Sequence, residues 1–457
     1  MMGSGKNGVI YAVDLFAGAG GMSTGLALAC KGLGRPVELV AVNHWKEAIE
    51  AHEKNHPWAR HLHEDVKAVD PRKAVPGGHL HILTASPECT GHSRAAGGRP
   101  KNDQSRASAW HIMRWLELLR VDNLLVENVP ELKDWGPLDR RRNPIKSRKG
   151  EVYQAWVSAI RSFGYTVDAR VLNAADYGAP TSRSRLFIAA KKGRTTIEWP
   201  RPTHSREGAG RRRWRPARGI IDWSLEGQSI FGRKRPLVPN TMKRIFEGLK
   251  RFSSPEIRPF IIAMEHGGGI RDIEDPLPTI TTARGGALAL AEPFVLSQGS
   301  GGAPKKVDDP LPTIPGKGAH SLVQPFILHY HDGDGSDRRS SSIEEPLSTI
   351  DTSNRHALVE PCLVQYNGAS EPQSVDEPLG TITTKDRFGL VEPSIILGDG
   401  THYLDVRFRM LQVHELADAM GFPHDYQFAG TKTQRVKMVG NAVVVQVAQA
   451  LCRSLLS

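Results

Sequence analysis

Val9-Ile10-Tyr11-Ala12-Val13-Asp14-Leu15-Phe16-Ala17-Gly18-Ala19-Gly20-Gly21 runs from an apolar stretch of strand length into a glycine-crowded turn, and Met22 to Cys30 then carry the spacing of a helix. Glycine suits such a turn because it accepts positive φ and lets backbone N–H groups approach a ligand. The helix N-terminus behind it favours a carboxylate. A Gly-rich turn also serves as a plain tight connection, so the stretch points to a nucleotide-type cofactor loop without establishing one.

Three further segments reinforce that reading. His81-Ile82-Leu83-Thr84-Ala85-Ser86 is a second apolar run, and it ends in Pro87-Glu88-Cys89-Thr90-Gly91-His92-Ser93. A cysteine just past a strand end lies at the carboxyl edge of an open α/β sheet, where ligands bind. Leu124-Leu125-Val126 leads into Glu127-Asn128-Val129-Pro130, which sets a carboxylate at a corresponding edge. Tyr177 to Arg185 then precedes the strand Leu186 to Ala190, with Arg183 and Arg185 two apart on one face.

In motif content and order the chain resembles the DNA cytosine-5 methyltransferases. The resemblance extends to Asp65-Val66, to Arg409-Met410-Leu411 through Glu415, to Met420-Gly421-Phe422-Pro423 and to Gly440-Asn441-Ala442-Val443-Val444. It covers roughly residues 8 to 195 and 405 to 457. The implied fold is an α/β, Rossmann-like methyltransferase sheet, interrupted by a β-rich target-recognition region. The expected division is a catalytic and cofactor domain over 1–195, a recognition domain over 196–404, and a C-terminal segment over 405–457 that returns to the first domain through a last helix from Val443 to Leu456.

Composition fits a chain of two ordinary cores. It has 457 residues, 39% of them hydrophobic. No run of membrane-spanning length is evident, and Met1-Met2-Gly3-Ser4-Gly5-Lys6 is not followed by a signal-type apolar region, so a cytoplasmic protein of bacterial or phage origin is expected. Cys30, Cys89, Cys362 and Cys452 are far apart and lack metal-ligand spacing, which indicates neither a disulfide framework nor a metal. Cys89 alone has polar and glycine neighbours; the other three read as core thiols.

The formal net charge is +11, and the excess is concentrated. Residues 191–258 hold 18 Lys plus Arg against 6 Asp plus Glu, a local net of +12. Arg211, Arg212, Arg213 and Arg215, with Arg233, Lys234 and Arg235, suit a polyanion, since phosphate neutralisation supplies most sequence-independent affinity. Trp199, Trp214 and Trp223 interleave with these charges, as in a packed or base-contacting region. From 259 to 397 a unit recurs, with Pro-Phe-aliphatic or a close variant at Pro259, Pro293, Pro325, Pro361 and Pro393. Inside it recurs a second element, Asp275 to Ile280, Asp309 to Ile314, Glu345 to Ile350 and Glu377 to Ile382. Prolines exclude long helices here, so short strands and turns are predicted that read base edges or scaffold the basic segment.

The resemblance implies S-adenosylmethionine as cofactor, with no metal, and double-stranded DNA as partner to a monomer. Phe16, Gly18, Gly20 and Gly21 would line the methionine end, Trp45 would stack on adenine, and Asp65 with Val66 would meet its amine. Pro87, Asn441, Ala442 and Val443 would close the pocket. Cys89 would add to cytosine C6 to make C5 nucleophilic, Glu127 would assist at N3, and Arg185 with Arg183 would hold the base carbonyl. Because those atoms are unreachable in a duplex, the base would be flipped, with Gly91 to Arg106 as closing loop and Ser93 and Arg106 touching DNA.

Three positions depart from the family pattern, one of them Thr90, which follows Cys89 where glutamine is common. His44 stands where an acid usually meets the ribose hydroxyls, and Glu88 stands where proline usually precedes the nucleophile. An inward Glu88 would raise the thiol pKa of Cys89, whereas an outward one would be neutral to it. An RNA cytosine-5 methylase and a catalytically weakened DNA-binding protein are the alternative readings.

Overall fold

The computed structural model describes residues 8–88, 108–140, 143–231, 233–237, 245, 373–382, 388–398 and 401–457, with short backbone strands between 260 and 365. The chain forms two compact units. One comprises Met1–Ile221, Asp376–Asp386 and Gln412–Ser457, and the other Asp222–Val375 and Arg387–Leu411. The first therefore extends past the expected boundary at 195 and takes in part of the repeat region.

The first unit is built on a seven-stranded sheet of order β3-β2-β1-β4-β5-β7-β6. Its strands are β1 (Ile10–Leu15), β2 (Val37–Val42), β3 (Arg60–Leu62), β4 (His79–Ala85), β5 (Arg120–Asn128), β6 (Tyr165–Asn173) and β7 (Ser184–Lys192). The first five pair parallel, and β7 runs antiparallel between β5 and β6. Parallel strands must be covered on both faces, and β4 and β5 are buried over most of their length as that demands.

On one face, α4 (His111–Leu118) and α5 (Glu151–Ser162), preceded in the chain by the single-turn α3 (Pro71–Ala74), supply the fully buried Trp115, Trp156 and Ile160 to a core with Val13, Leu83, Leu124 and Ile188. Trp156 Nε1 donates to the Ala109 carbonyl at 3.0 Å, so its indole is buried without an orphaned donor. α1 (Gly21–Gly32) and α8 (Val445–Leu456) pack together, while α2 (Lys46–Asn55), α6 (Val413–Ala419) and α7 (Lys432–Asn441) complete the unit. A Cβ at Gly25 would fall 2.4 Å from Ala448 Cβ, so only glycine permits this helix contact. The last helix starts at Val445, two residues after the expected Val443. The stretch Lys432–Leu456 is long and apolar enough to cross a bilayer, contrary to the sequence reading. It is 67% buried and broken at residues 442–444, which makes it a core element.

Part of the repeat region belongs to this unit. Leu379 forms a bridge with Thr181, the Ser182 amide donates to the Leu379 carbonyl at 2.7 Å, and the Leu379 amide donates to Pro180 at 3.0 Å. The copy Glu377 to Ile382 thus lies along the segment that enters β7.

In the second unit three of the repeats share one strand pattern. Phe260–Ala263 lies antiparallel between Ile270–Asp272 and Leu288–Ala291, with Phe260 opposite Asp272 and Ala291. Phe326–His329 sits likewise between Ser340–Ser342 and His356–Val359, and Cys362–Gln365 between Gln373–Ser374 and Phe388–Gly398. The short strands expected from the Pro-Phe-aliphatic unit are therefore present. The element copies at 275–280, 309–314 and 345–350 lie outside the described residues.

Two glycine substitutions in α1 should have opposite signs. Gly25→Ala overpacks the contact with α8 and should destabilise by about 1–3 kcal/mol despite alanine's better helix propensity. Gly32, with no atom within 4 Å of a built Cβ, should gain about 0.4–1 kcal/mol as alanine. Denaturant titration of both variants checks the pair.

Candidate cofactor and catalytic site

The carboxyl ends of β2, β1, β4 and β5 are adjacent and level: Leu15 is in register with Val42 on one side and Ala85 on the other, and Ala85 with Val126. The strand order reverses between β1 and β4, which opens a crevice at that edge. The turn after β1 projects into it. Phe16 has φ 58°, the described non-glycine residue with positive φ, and Gly18 and Gly20 follow at 56° and 99°. A left-handed phenylalanine costs roughly 1–2 kcal/mol, the kind of strain that surrounding structure retains at working sites. α1 begins at Gly21 with no side-chain cap from Gly20 and no acid in its first turn; the Asp14 carboxylate takes the Ser23 amide, and the helix N-terminus favours an anion at the amides before it.

Trp45 and Asp65, the residues expected at the adenine end, follow β2 and β3 in the chain. The Trp45 amide donates to Asn43 Oδ1 at 2.8 Å, and Lys437 Nζ lies 4.5 Å from the Trp45 ring centroid. The Lys437 contact was not anticipated. Val66 is buried, and Asp65 accepts from the Lys67 amide at 3.0 Å. Partial burial pushes Asp65 up, but the Lys67 amide and ammonium, with a contribution from His44, hold it below the usual aspartate value. Gly21 faces the far wall, where a Cβ would meet the Val443 carbonyl at 2.3 Å; Ala442 and Val443 are buried and Asn441 is exposed.

At the neighbouring edge, Glu127 is buried at the end of β5. Arg185 Nε lies 3.3 Å from Glu127 Oε1, in ion-pair range, yet that oxygen accepts no hydrogen bond among the described residues. Burial raises the Glu127 pKa, partly opposed by Arg185 and Arg183. Arg183 is used otherwise: Nη1 donates to the Ile382 carbonyl at 2.8 Å and Nη2 to the Ala442 carbonyl at 3.3 Å. It joins three chain segments and spends those donors on backbone. Pro87 is buried, and its carbonyl accepts from Asn128 Nδ2 at 3.0 Å. Cys89, Ser93 and Arg106 lie outside the described residues.

The sequence matches the family of C-5 cytosine-specific DNA methylases over residues 10–213 and 337–457, well over half of the chain. The chain belongs to that family. Among curated relatives, the type II methyltransferase M.AgeI of Thalassovita gelatinovora is 29% identical over 198 residues, 42% of each chain. M.XorII of Xanthomonas oryzae pv. oryzae is 32% identical over 199 residues, 42% of this chain and 43% of that one. The matched portion thus spans less than half the length of these relatives. The crystal structure of S. pombe Dnmt2 methyltransferase aligns over 97% of this chain and 96% of its own at 14% identity and a TM-score of 0.48.

The basic residues of the chain fall into two groups. Arg211, Arg212, Arg213 and Arg215 are exposed, with Arg212–Arg213 pairing parallel to His204–Ser205. Their tryptophan neighbours are anchors: Trp214 Nε1 donates to Asp176 at 2.9 Å and Trp199 Nε1 to Asp168 at 2.7 Å. In the other unit Arg233 donates to the carbonyls of Ser229, Gln228 and Phe408, so it ties local backbone together, whereas Lys234 and Arg235 are exposed.

A buried polar chain beneath the glycine turn was missed by the sequence reading. Ser23 Oγ donates to Asp14 Oδ2 at 2.6 Å, His52 Nε2 meets Ser23 Oγ at 2.9 Å, and His52 Nδ1 meets His61 Nε2 at 2.8 Å. His56 Nε2 meets Thr24 Oγ1 at 3.1 Å, and Tyr426 donates to the Ala19 carbonyl. A Cβ at Gly20 would strike Tyr426, His56 and His52, so these rings form the floor of the turn. The only sequence signal was spacing: histidines at 52 and 56 share one helical face.

Burial lowers His56 from 6.5 to about 4, with the His52 carbonyl opposing and His61 assisting. Burial likewise lowers His52, helped by His56 and His61. The unfolded chain therefore binds protons that the native one refuses. This contribution to stability is present above pH 6.5 and lost as pH falls toward 4, about 3 kcal/mol from His56. Asp14 has the opposite sign: burial raises it to about 6 against its bonds from Ser23 and Thr84, so its contribution is full below 3.8 and lost as pH rises through 6. His56→Gln should lose less stability than the parent between pH 7 and 4.5, and Asp14→Asn should lose more. Denaturant titrations at both pH values test this; matching acid losses in all three proteins would remove the histidines and Asp14 from that role.

Proposed function

We propose that the chain is a DNA (cytosine-5)-methyltransferase acting on a flipped cytosine in double-stranded DNA, with S-adenosylmethionine as methyl donor. The observation that carries the proposal is Glu127: a buried carboxyl with a raised pKa and an oxygen lacking a hydrogen bond, on the strand next to the one that leads into Cys89. Such a group is poised to give a proton or hydrogen bond to a base held against it.

The residues present fit the cofactor. The first amides of α1 and the left-handed turn Phe16 to Gly20 suit a carboxylate and a close-lying chain, and Trp45 with Asp65 suits an aminopurine. When bound, S-adenosylmethionine supplies an electrophilic methyl group. The chain's own residues do the rest. The Cys89 thiolate forms a bond to C6 while Glu127 supplies a proton or hydrogen bond at N3, which leaves C5 nucleophilic. Arg185, beside Glu127, holds the base carbonyl. Arg183 positions that edge by fastening the β7 entry to residues 382 and 442. After transfer, water takes the C5 proton, the C6–S bond breaks to release the Cys89 thiolate, and the N3 proton returns to Glu127, which restores the aromatic ring. Exposed Arg211, Arg212, Arg213 and Arg215, with Lys234 and Arg235, contact phosphates, and the repeats select sequence.

Cys89→Ala should abolish methyl transfer and leave duplex binding largely intact, and it should lose the denaturation-resistant adduct with a 5-fluorocytosine duplex. Equal adduct yield from the variant would remove Cys89 as nucleophile. Glu127→Gln, unable to deliver a proton, should lower single-turnover methylation by about 10²–10⁴-fold. Neutralising Arg211, Arg212, Arg213 and Arg215 together should weaken binding to all duplexes alike and flatten the salt dependence, measured by titration at several ionic strengths.

A further inference from the structure

His44 and Glu88, two of the departures from the family pattern, meet in the fold. β2 and β4 lie on either side of β1, about 10 Å apart at ordinary strand spacing. The chain turns out of β2 through Asn43 and His44 and out of β4 through Ser86 to Glu88, and the two side chains close to 3.9 Å between His44 Nε2 and Glu88 Oε1. Both are half exposed, at 57% and 46%, so the pair adds little to stability. The separation is too long for a direct hydrogen bond. A hydroxyl oxygen at normal hydrogen-bond length from both atoms would subtend about 90°, within reach of its donor and acceptor directions.

The place and chemistry of the pair indicate what it holds. It spans the crevice between the glycine turn and the Trp45–Asp65 wall, where the middle of a ligand stretched between them must pass. Asp65, the other carboxylate near His44, is engaged: Oδ1 accepts from the Lys67 amide, and Oδ2 lies 3.2 Å from Lys67 Nζ. Glu88 has no described ion pair or hydrogen bond besides the approach to His44. Its carboxylate is open to solvent and so to a ligand.

We infer that Glu88 and His44 together clasp the ribose diol of the cofactor, Glu88 supplying the carboxylate that position 44 lacks; this rests on the S-adenosylmethionine reading above. The residue that reads the ribose then immediately precedes Cys89.

The test is calorimetric titration of S-adenosylhomocysteine and of its 2′,3′-dideoxyribose analogue into the full chain. The parent should bind the dideoxy analogue at least tenfold more weakly. Glu88→Gln, with unchanged Tm, should lose about tenfold on S-adenosylhomocysteine, the value of one charge-assisted bond, and little on the analogue. His44→Glu combined with Glu88→Gln should recover most of that loss. Equal affinities in parent and Glu88→Gln, or equal losses on both ligands, would overturn the clasp. A parent that binds neither ligand would instead overturn the cofactor reading.

Discussion

The close approach of α1 to the end of the chain is the constraint on which the rest depends. Gly21 sits against the Val443 backbone and Gly25 against Ala448, contacts that a single methyl group would break. They fix where α1 begins, and so where its free amides point. They also bring the Ala442 carbonyl to Arg183, whose other bond reaches Ile382. Segments separated by some 200 and 260 residues in the chain are thereby locked to one sheet edge. Such contacts are slow to form because loop closure precedes any gain from them, but they leave little freedom once made.

Around this frame the molecule tolerates several buried ionisable groups, and their environments divide them by use. Asp14 is fully satisfied by Ser23 and Thr84 and lies under the turn as a structural acid. Glu127 is also buried but, among the described residues, one of its oxygens has the ion pair with Arg185 and no hydrogen bond. Leaving a buried acceptor unpaired costs stability, about 1–3 kcal/mol for a group of this type, and the cost is recovered when a donor arrives. Burial disfavours the charged form of the histidines below Gly20, so they support the strained turn without adding charge beneath it.

The repeats show how one sequence element acquires a distinct place. The copy at 377–382 pairs with Thr181 to Arg183 and belongs to the first unit, although its sequence differs little from the three copies before it. Backbone pairing carries the contact, since the Leu379 amide and carbonyl both take part. Side-chain identity therefore does not announce it.

By itself the sequence determined the local chemistry: the strand, turn and helix from Val9 to Cys30, the apolar runs that became β4 and β5, the acid at 127 and the arginine at 185, because periodicity and glycine placement are short-range properties. It also showed the repeat and the basic excess, which are compositional. Tertiary structure alone decided that Arg183 and Arg233 serve backbone carbonyls, that Trp199 and Trp214 are anchors, and that histidines 52, 56 and 61 form a buried chain. It alone set His44 facing Glu88, since that pairing follows from the order of strands in the sheet. Strand order is fixed by long-range burial and crossover handedness, which no window of sequence contains.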